Sequence, residues 1–187
     1  MVKPRVGISS CLLGEKVRYD GGHKRSTVLA DILSRHLEWV PVCPEHEVGM
    51  GVPREPVQLV GEARTPRMVG ADSGREWTEE MEAFCAARIR ALSSQQIQGF
   101  VLKSRSPTCG LRVPLYNVEG GEVGEACGFF ARELREKCPR LPLVEENELE
   151  DTGARERWMK KVYRLAGRSI PLLLVALSAV FWPQRGI

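Results

Sequence analysis

Three short apolar runs in this chain each end in a cysteine set among turn-forming residues. They are "VGISSCLLG" around Cys11, "WVPVCPEHEVG" around Cys43, and "GFVL" leading into "SRSPTCG" around Cys109. An apolar run of this length, bounded by turn signals, reads as a buried strand. If such strands run parallel in one sheet, their exits share an edge, and that edge is where ligands bind in open α/β folds. Parallel strands would therefore bring three cysteines together from distant parts of the chain.

The remaining patterns supply the other elements. Residues 25–37, "RSTVLADILSRHL", place Leu29, Ile32, Leu33 and Leu37 on one helical stripe. "TEEMEAFCAARIRAL" predicts a second helix with Met81, Phe84, Cys85, Ile89 and Leu92 on its apolar face. Thr78 is its expected N-cap, with Glu79 and Glu80 suiting the first turn. "GFFARELREKC" and "ARERWMKKVYRLAG" read as further helices, and "EWVPVC", "VQLVG", "LYNV" and "LPLVEE" as strands. Strands alternating with helices predict an α/β fold: a single domain with a mostly parallel sheet and helices on both faces, in Rossmann-like or flavodoxin-like layering. The domain is expected to occupy 1–167, with an apolar C-terminal tail, 168–187, packed on it or extending it.

With 187 residues, 43% of them hydrophobic, the chain has material for one sizeable core. A net charge of +3 favours an anionic partner only weakly. "MVKPRVGISS" lacks the apolar core of a secretory signal. "IPLLLVALSAVFW" is shorter than the ~18 apolar residues of a membrane span, so a buried terminal strand or helix is expected. A cytoplasmic protein without a membrane partner follows.

The six cysteines are Cys11, Cys43, Cys85, Cys109, Cys127 and Cys138, and no two form a CxxC pair. That spacing argues against a zinc ribbon, a thioredoxin motif and ferredoxin-style ligation from one loop. Cys85 falls on the apolar face of its helix and reads as packing. Cys127 and Cys138 flank one helix and are assigned to packing or incidental exposure. Cys11, Cys43 and Cys109 sit in turns, where a small hydrophobe is poorly placed, and become candidate ligands. Zinc would need a fourth donor from His23, His36 or His46. A 4Fe–4S cluster held by three thiolates would leave one iron open to water or substrate.

Glu45 shares the turn of Cys43 in "CPEHE" and is either a proton-transfer group or a solvated loop acid. Ser106 either tightens the Cys109 turn or reaches a substrate. Arg18, Tyr19 and Asp20 in "GEKVRYDGGHK", Arg54 in "GVPREP", and Lys103 before the Cys109 turn are candidate substrate contacts. "GGEVGEACG" matches neither the dinucleotide fingerprint nor the P-loop. Arg157, Lys160, Lys161, Arg164 and Arg168 give a basic helical face, read as solvated or as an RNA contact.

Together, "SSCLLGEKVRYDGGHK", "PVCPEHEVGMGVPREP" and "KSRSPTCG" resemble the thiouracil desulfurase family. The resemblance continues through "GFFARELREKCPRLPLVEE" and "RERWMKKVY", and its later half is most similar to the subgroup acting on thiolated uridine in tRNA. It implies a 4Fe–4S cluster held by Cys11, Cys43 and Cys109, with the fourth iron not ligated by protein. Glu45 corresponds to the family's catalytic carboxylate and Ser106 to its catalytic serine. The implied reaction replaces C=S by C=O in a thiolated uracil, as free base, nucleoside or tRNA, and releases sulfide without net redox change. The competing class is a non-catalytic iron–sulfur or zinc module that senses redox state or binds RNA. Oligomeric state is not legible.

Overall fold

The computed structural model describes residues 2–169. In chain order the elements are β1 (Arg5–Ser9), β2 (Glu38–Val42), α1 (Pro44–Glu47), β3 (Val57–Glu62), β4 (Thr65–Gly70), α2 (Thr78–Ser94), β5 (Phe100–Leu102), β6 (Val113–Tyr116), β7 (Glu122–Ala126), α3 (Phe129–Lys137), β8 (Leu143–Glu145) and α4 (Thr152–Leu165). Strands β2, β1, β5 and β8 form one sheet in that order. Every pairing in it is parallel. This is the mostly parallel sheet the alternation predicts.

Side-chain alternation in this sheet builds two cores. Val6, Ile8 and Val101 face Leu29, Leu33 and Leu37, together with Trp158, Met159 and Val162 of α4. Val40, Val42, Phe100 and Leu102 face the other way, onto Met81, Cys85 and Ile89 of α2 and Phe129 and Phe130 of α3. Helices thus cover both faces. Each buried Leu or Phe contributes about 1.5–3 kcal/mol, so the two layers hold the sheet between them. Gly7 fits because it lacks a side chain: a Cβ there would lie 2.2 Å from the Phe100 ring. That ring in turn packs edge-on against Phe130 with centroids 5.3 Å apart.

A second sheet joins β4, β3, β6 and β7. β3 runs antiparallel to β4 and parallel to β6, and β6 runs antiparallel to β7. Leu59 and Leu115 anchor it to the α2–α3 core. β4 and β7 correct the sequence reading, which had no strand at either place.

Two further expectations change. Residues 25–37 do not form one regular helix: a π-helical turn, Val28–Ile32, runs into a 3₁₀ turn, Leu33–Arg35. Leu29, Leu33 and Leu37 remain buried, but Ile32 is 41% exposed, because the altered winding turns it off the stripe. Thr78 is the first helical residue of α2 instead of its cap. Its hydroxyl accepts from the Met68 amide at 3.0 Å and ties the helix to β4. No described helix is long and apolar enough to cross a membrane. The apolar tail lies outside the described residues, apart from its first two.

Candidate active site

β1, β2 and β5 are neighbours in the parallel sheet, so their carboxyl ends lie side by side. Cys11 sits in the 3₁₀ turn Ser10–Leu13 that follows β1. Its carbonyl accepts from Gly14 and Lys24, which fixes the turn. Cys43 follows β2 and leads into α1. Its amide donates to Glu47 Oε1 at 2.8 Å. Cys109 belongs to the loop after β5, where the Ser106 hydroxyl accepts from the amides of Thr108 and Cys109 at 3.3 and 3.2 Å. Ser106 therefore does tighten this turn. Gly128 lets α3 seat the same loop closely, since a Cβ there would meet the Thr108 carbonyl oxygen at 2.6 Å.

All three cysteines line one cavity of about 690 Å³ at the edge of the sheet. Cys11 and Cys109 are buried and Cys43 is half-buried. Burial pushes the Cys11 thiol up to about 12, with the charge of Cys43 adding and those of Lys103 and Arg18 opposing. Burial likewise raises Cys43, to about 11. Cys109 is pushed well up, first by burial; the bond to Ser9 opposes, while Cys43, Glu45 and Cys11 add. Cys11 and Cys109 thus each feel the charge of Cys43. Holding all three as thiolates takes a strongly cationic centre among them, and loading it releases protons.

The donor set decides what such a centre is. Among the described residues no three His, Cys, Asp or Glu side chains group closely enough to hold a single metal ion. His23 and His46 are exposed, and neither they nor His36 line the cavity. The zinc reading therefore lacks its fourth donor. Soft thiolates on three separate loops around a roomy cavity fit a group wider than one ion, and an iron–sulfur cluster is of that kind.

Glu45 also lines this cavity and is held from two sides. Arg54 grips Oε2 with both Nη2, at 2.6 Å, and Nε, at 3.2 Å. Its Nη1 donates to the carbonyls of Val17 and Gly51 at 3.1 and 2.9 Å. Oε1 accepts from the Thr108 hydroxyl at 2.8 Å and from Ser106 Oγ at 3.4 Å. Glu45 is thus no solvated loop acid. The sequence reading missed Thr108, whose hydroxyl is as close a partner of Glu45 as any but the Arg54 guanidinium.

The expected substrate contacts scatter by role. Arg54 lines the cavity, but its donors are taken by Glu45 and the two carbonyls. Lys103 also lines it, ion-paired to Glu146 and donating to Ser104. Arg18 and Tyr19 line the mouth, with the guanidinium carbon 5.2 Å from the tyrosine ring centroid. Arg18 Nε is buried without a hydrogen-bond partner. Asp20 is not part of the wall; its carboxylate accepts from the Gly22 amide at 2.9 Å and closes its own turn. That bond, ahead of the nearby Arg18, lowers its pKa.

Cys85 is buried among the α2 side chains, as its spacing predicts. Cys127 and Cys138 are half-buried and pack against the same core. Arg168, beyond the end of α4, lies far from the cysteines. Arg168 donates to the carbonyl of Val2, before the amino end of β1, whereas Cys11 follows its carboxyl end. A five-residue strand separates the two by about 17 Å.

Comparison with known proteins places the chain in a family. The 4Fe-4S-dependent thiouracil desulfidase TudS has a similar structure, with a TM-score of 0.63 and 30% sequence identity, covering 79% of this chain and 94% of that one. The uncharacterized protein YbbK of Bacillus subtilis (strain 168) is 29% identical over 150 residues, covering 77% of this chain and 97% of YbbK. Residues 6–146 match the family described as 2-thiouracil desulfurase. The chain belongs to the 2-thiouracil desulfurase family.

Proposed function

We propose that this chain is an iron–sulfur-dependent desulfidase that replaces the thiocarbonyl sulfur of a thiolated uracil with the oxygen of water and releases sulfide. The observation that carries this reading is the shared cavity: three thiols on neighbouring strand ends and a clamped carboxylate, Glu45, all line it. Cys11, Cys43 and Cys109 would hold the group. A 4Fe–4S cluster bound there would supply a soft Lewis acid for the sulfur, since only three thiols are available to ligate it.

The chain's own residues then manage water and protons. Glu45 accepts a proton as water adds to the ring carbon bearing sulfur. Ser106 Oγ, which accepts two backbone amides, directs its own proton toward Glu45 Oε1. Glu45 later returns the water proton to the departing sulfide, which takes its second proton from the added hydroxyl as C=O forms. The sum is C=S plus water giving C=O plus hydrogen sulfide, with no electron gained or lost. Arg54 compensates the buried carboxylate and fixes its orientation. Buried thiols and an oxidation-sensitive group suit a reducing cytoplasm.

The proposed substrate is a free thiouracil or thiouridine nucleoside. Arg168, beyond the end of α4, bonds near the amino end of β1 and so offers tRNA no contact beside the cavity. The test is anaerobic loading with iron and sulfide, then sulfide release measured over thiouracils, thiouridines and thiolated tRNA. Release from the small substrates, abolished in Glu45→Gln with iron content intact, is expected. A loaded protein inert on all of them overturns the reading, and release from tRNA alone overturns the choice of substrate.

A further inference from the structure

The second sheet has a face that the chemistry above leaves unused. β3 starts just after Arg54, and β6 starts just after the Cys109 loop. Both strands therefore leave the site directly and extend its wall. Along them burial alternates: Leu59 and Leu115 are buried in the core, while Gln58, Pro114 and Tyr116 are half-buried and line the cavity with the cysteines and Glu45. Buried Val57, Leu59 and Val113 also contribute to the lining. The register pairs Leu59 with Leu115 and Val60 with Tyr116, so Gln58 and Tyr116 rise from one face as diagonal neighbours. The β6–β7 ladder skips Val123 opposite the Leu115–Tyr116 step. A bulge there sharpens the local twist and re-aims the neighbouring side chains.

We infer that this face reads the pyrimidine, with Tyr116 stacking on its ring and Gln58 pairing with its imide edge. The inference rests on the desulfidase reading for its choice of ligand. The hydrogen bonds that lock Glu45, Arg54, Ser106 and Thr108 leave this face free: among the described residues none of them involves Gln58 or Tyr116. A uracil edge presents an N–H donor flanked by acceptors. A carboxamide answers with an adjacent acceptor and donor, which neither a carboxylate nor an ammonium group offers. Single bases are commonly held this way, stacked on an aromatic ring and hydrogen-bonded along one edge. The ring sets the plane of the base, and the amide sets its rotation, so the pair decides which ring carbon faces Glu45.

The test uses the full chain loaded with iron and sulfide. Its readouts are calorimetric binding of uracil, the sulfur-free product, and the kinetics of sulfide release from 2-thiouracil. Tyr116→Ala and Gln58→Leu are each expected to weaken uracil about tenfold and raise KM similarly, with iron content unchanged. Tyr116→Phe keeps the ring and should restore binding, which a merely misfolded Tyr116→Ala would not explain. Unchanged uracil affinity and KM in both variants overturns the inference while leaving the desulfidase reading intact. Uracil binding lost in the variants of a chain that releases no sulfide does the reverse.

Discussion

The Thr108 hydroxyl donates to Glu45 Oε1 at 2.8 Å from a residue with no solvent exposure. The loop carrying one candidate ligand, Cys109, thereby orients the carboxylate that follows another, Cys43. Thr108 itself is pinned from behind, because its carbonyl accepts the Phe130 and Ala131 amides at the start of α3.

Replacing Thr108 with valine keeps the shape and deletes the donor. A buried hydrogen bond to a charged group contributes about 1.5–3 kcal/mol, so Thr108→Val should lower thermal stability measurably. It should also reduce kcat for sulfide release at least tenfold with KM and iron content unchanged, because the carboxylate loses its aim. Thr108→Ser restores the hydroxyl and should recover most of the rate. Equal kcat in the valine and serine variants would exclude a positioning role.

Arg54 and Glu45 form a buried pair, 6% and 14% exposed at their side chains. Removing one partner of such a pair leaves an uncompensated charge, at a cost of about 3–5 kcal/mol. Arg54→Met should therefore destabilise the metal-free protein by roughly that amount. Adding Glu45→Gln should recover part of the loss, since the orphaned charge goes with it. Denaturant unfolding of the two single variants and the double variant measures the coupling. Additive losses would mean that Arg54 acts only through the Val17 and Gly51 carbonyls.

Cys85 and Cys109 are both buried with raised pKa, so burial does not separate packing from ligation, whereas location does. Cys85 points into the α2 core and Cys109 into the cavity. Cys85→Ala should retain iron and the brown cluster absorbance, with a modest stability loss of about 1 kcal/mol for a small cavity. Cys109→Ser, like Cys11→Ser and Cys43→Ser, should bleach that absorbance and lose iron on gel filtration. Full iron retention in any of these three serine variants would remove that residue from the ligand set.

How much of this was readable beforehand depended on whether a residue's role is local. The parallel sheet was legible because β1, β2 and β5 are apolar runs closed by turns, and their shared edge follows from parallel topology. β7 was not, because four of its five residues are exposed and no alternation marks it. β4 alternates correctly, but Pro66, Met68 and Gly70 occupy its buried positions, an unusual disguise for a strand. In the site, the strand-end cysteines and Glu45 carried their own signal. Thr108 did not: threonine is ordinary in a turn, and its contact with Glu45 spans 63 residues. Gln58 and Tyr116 were hidden for the same reason, since a strand residue acquires chemistry only once its face is known.

Glu55, next to Arg54, gives a pH signature away from the cysteines. Its carboxylate accepts from the Ser73 hydroxyl at 2.5 Å and from the Asp72 and Ser73 amides at 2.9 Å each. These bonds, the Ser73 side chain first, hold its pKa below the ordinary 4.5. A carboxyl depressed on folding contributes stability above its unfolded pKa and loses it as pH falls through the folded value. The hairpin after β4 should therefore loosen below about pH 4.5, as the folded pKa is approached. Glu55→Gln keeps an acceptor but no titration, so its melting temperature should fall less steeply with acid than that of the wild type. Parallel melting curves for the two proteins, recorded from neutral pH downward, would count against the assignment of this carboxylate as the hairpin's clasp.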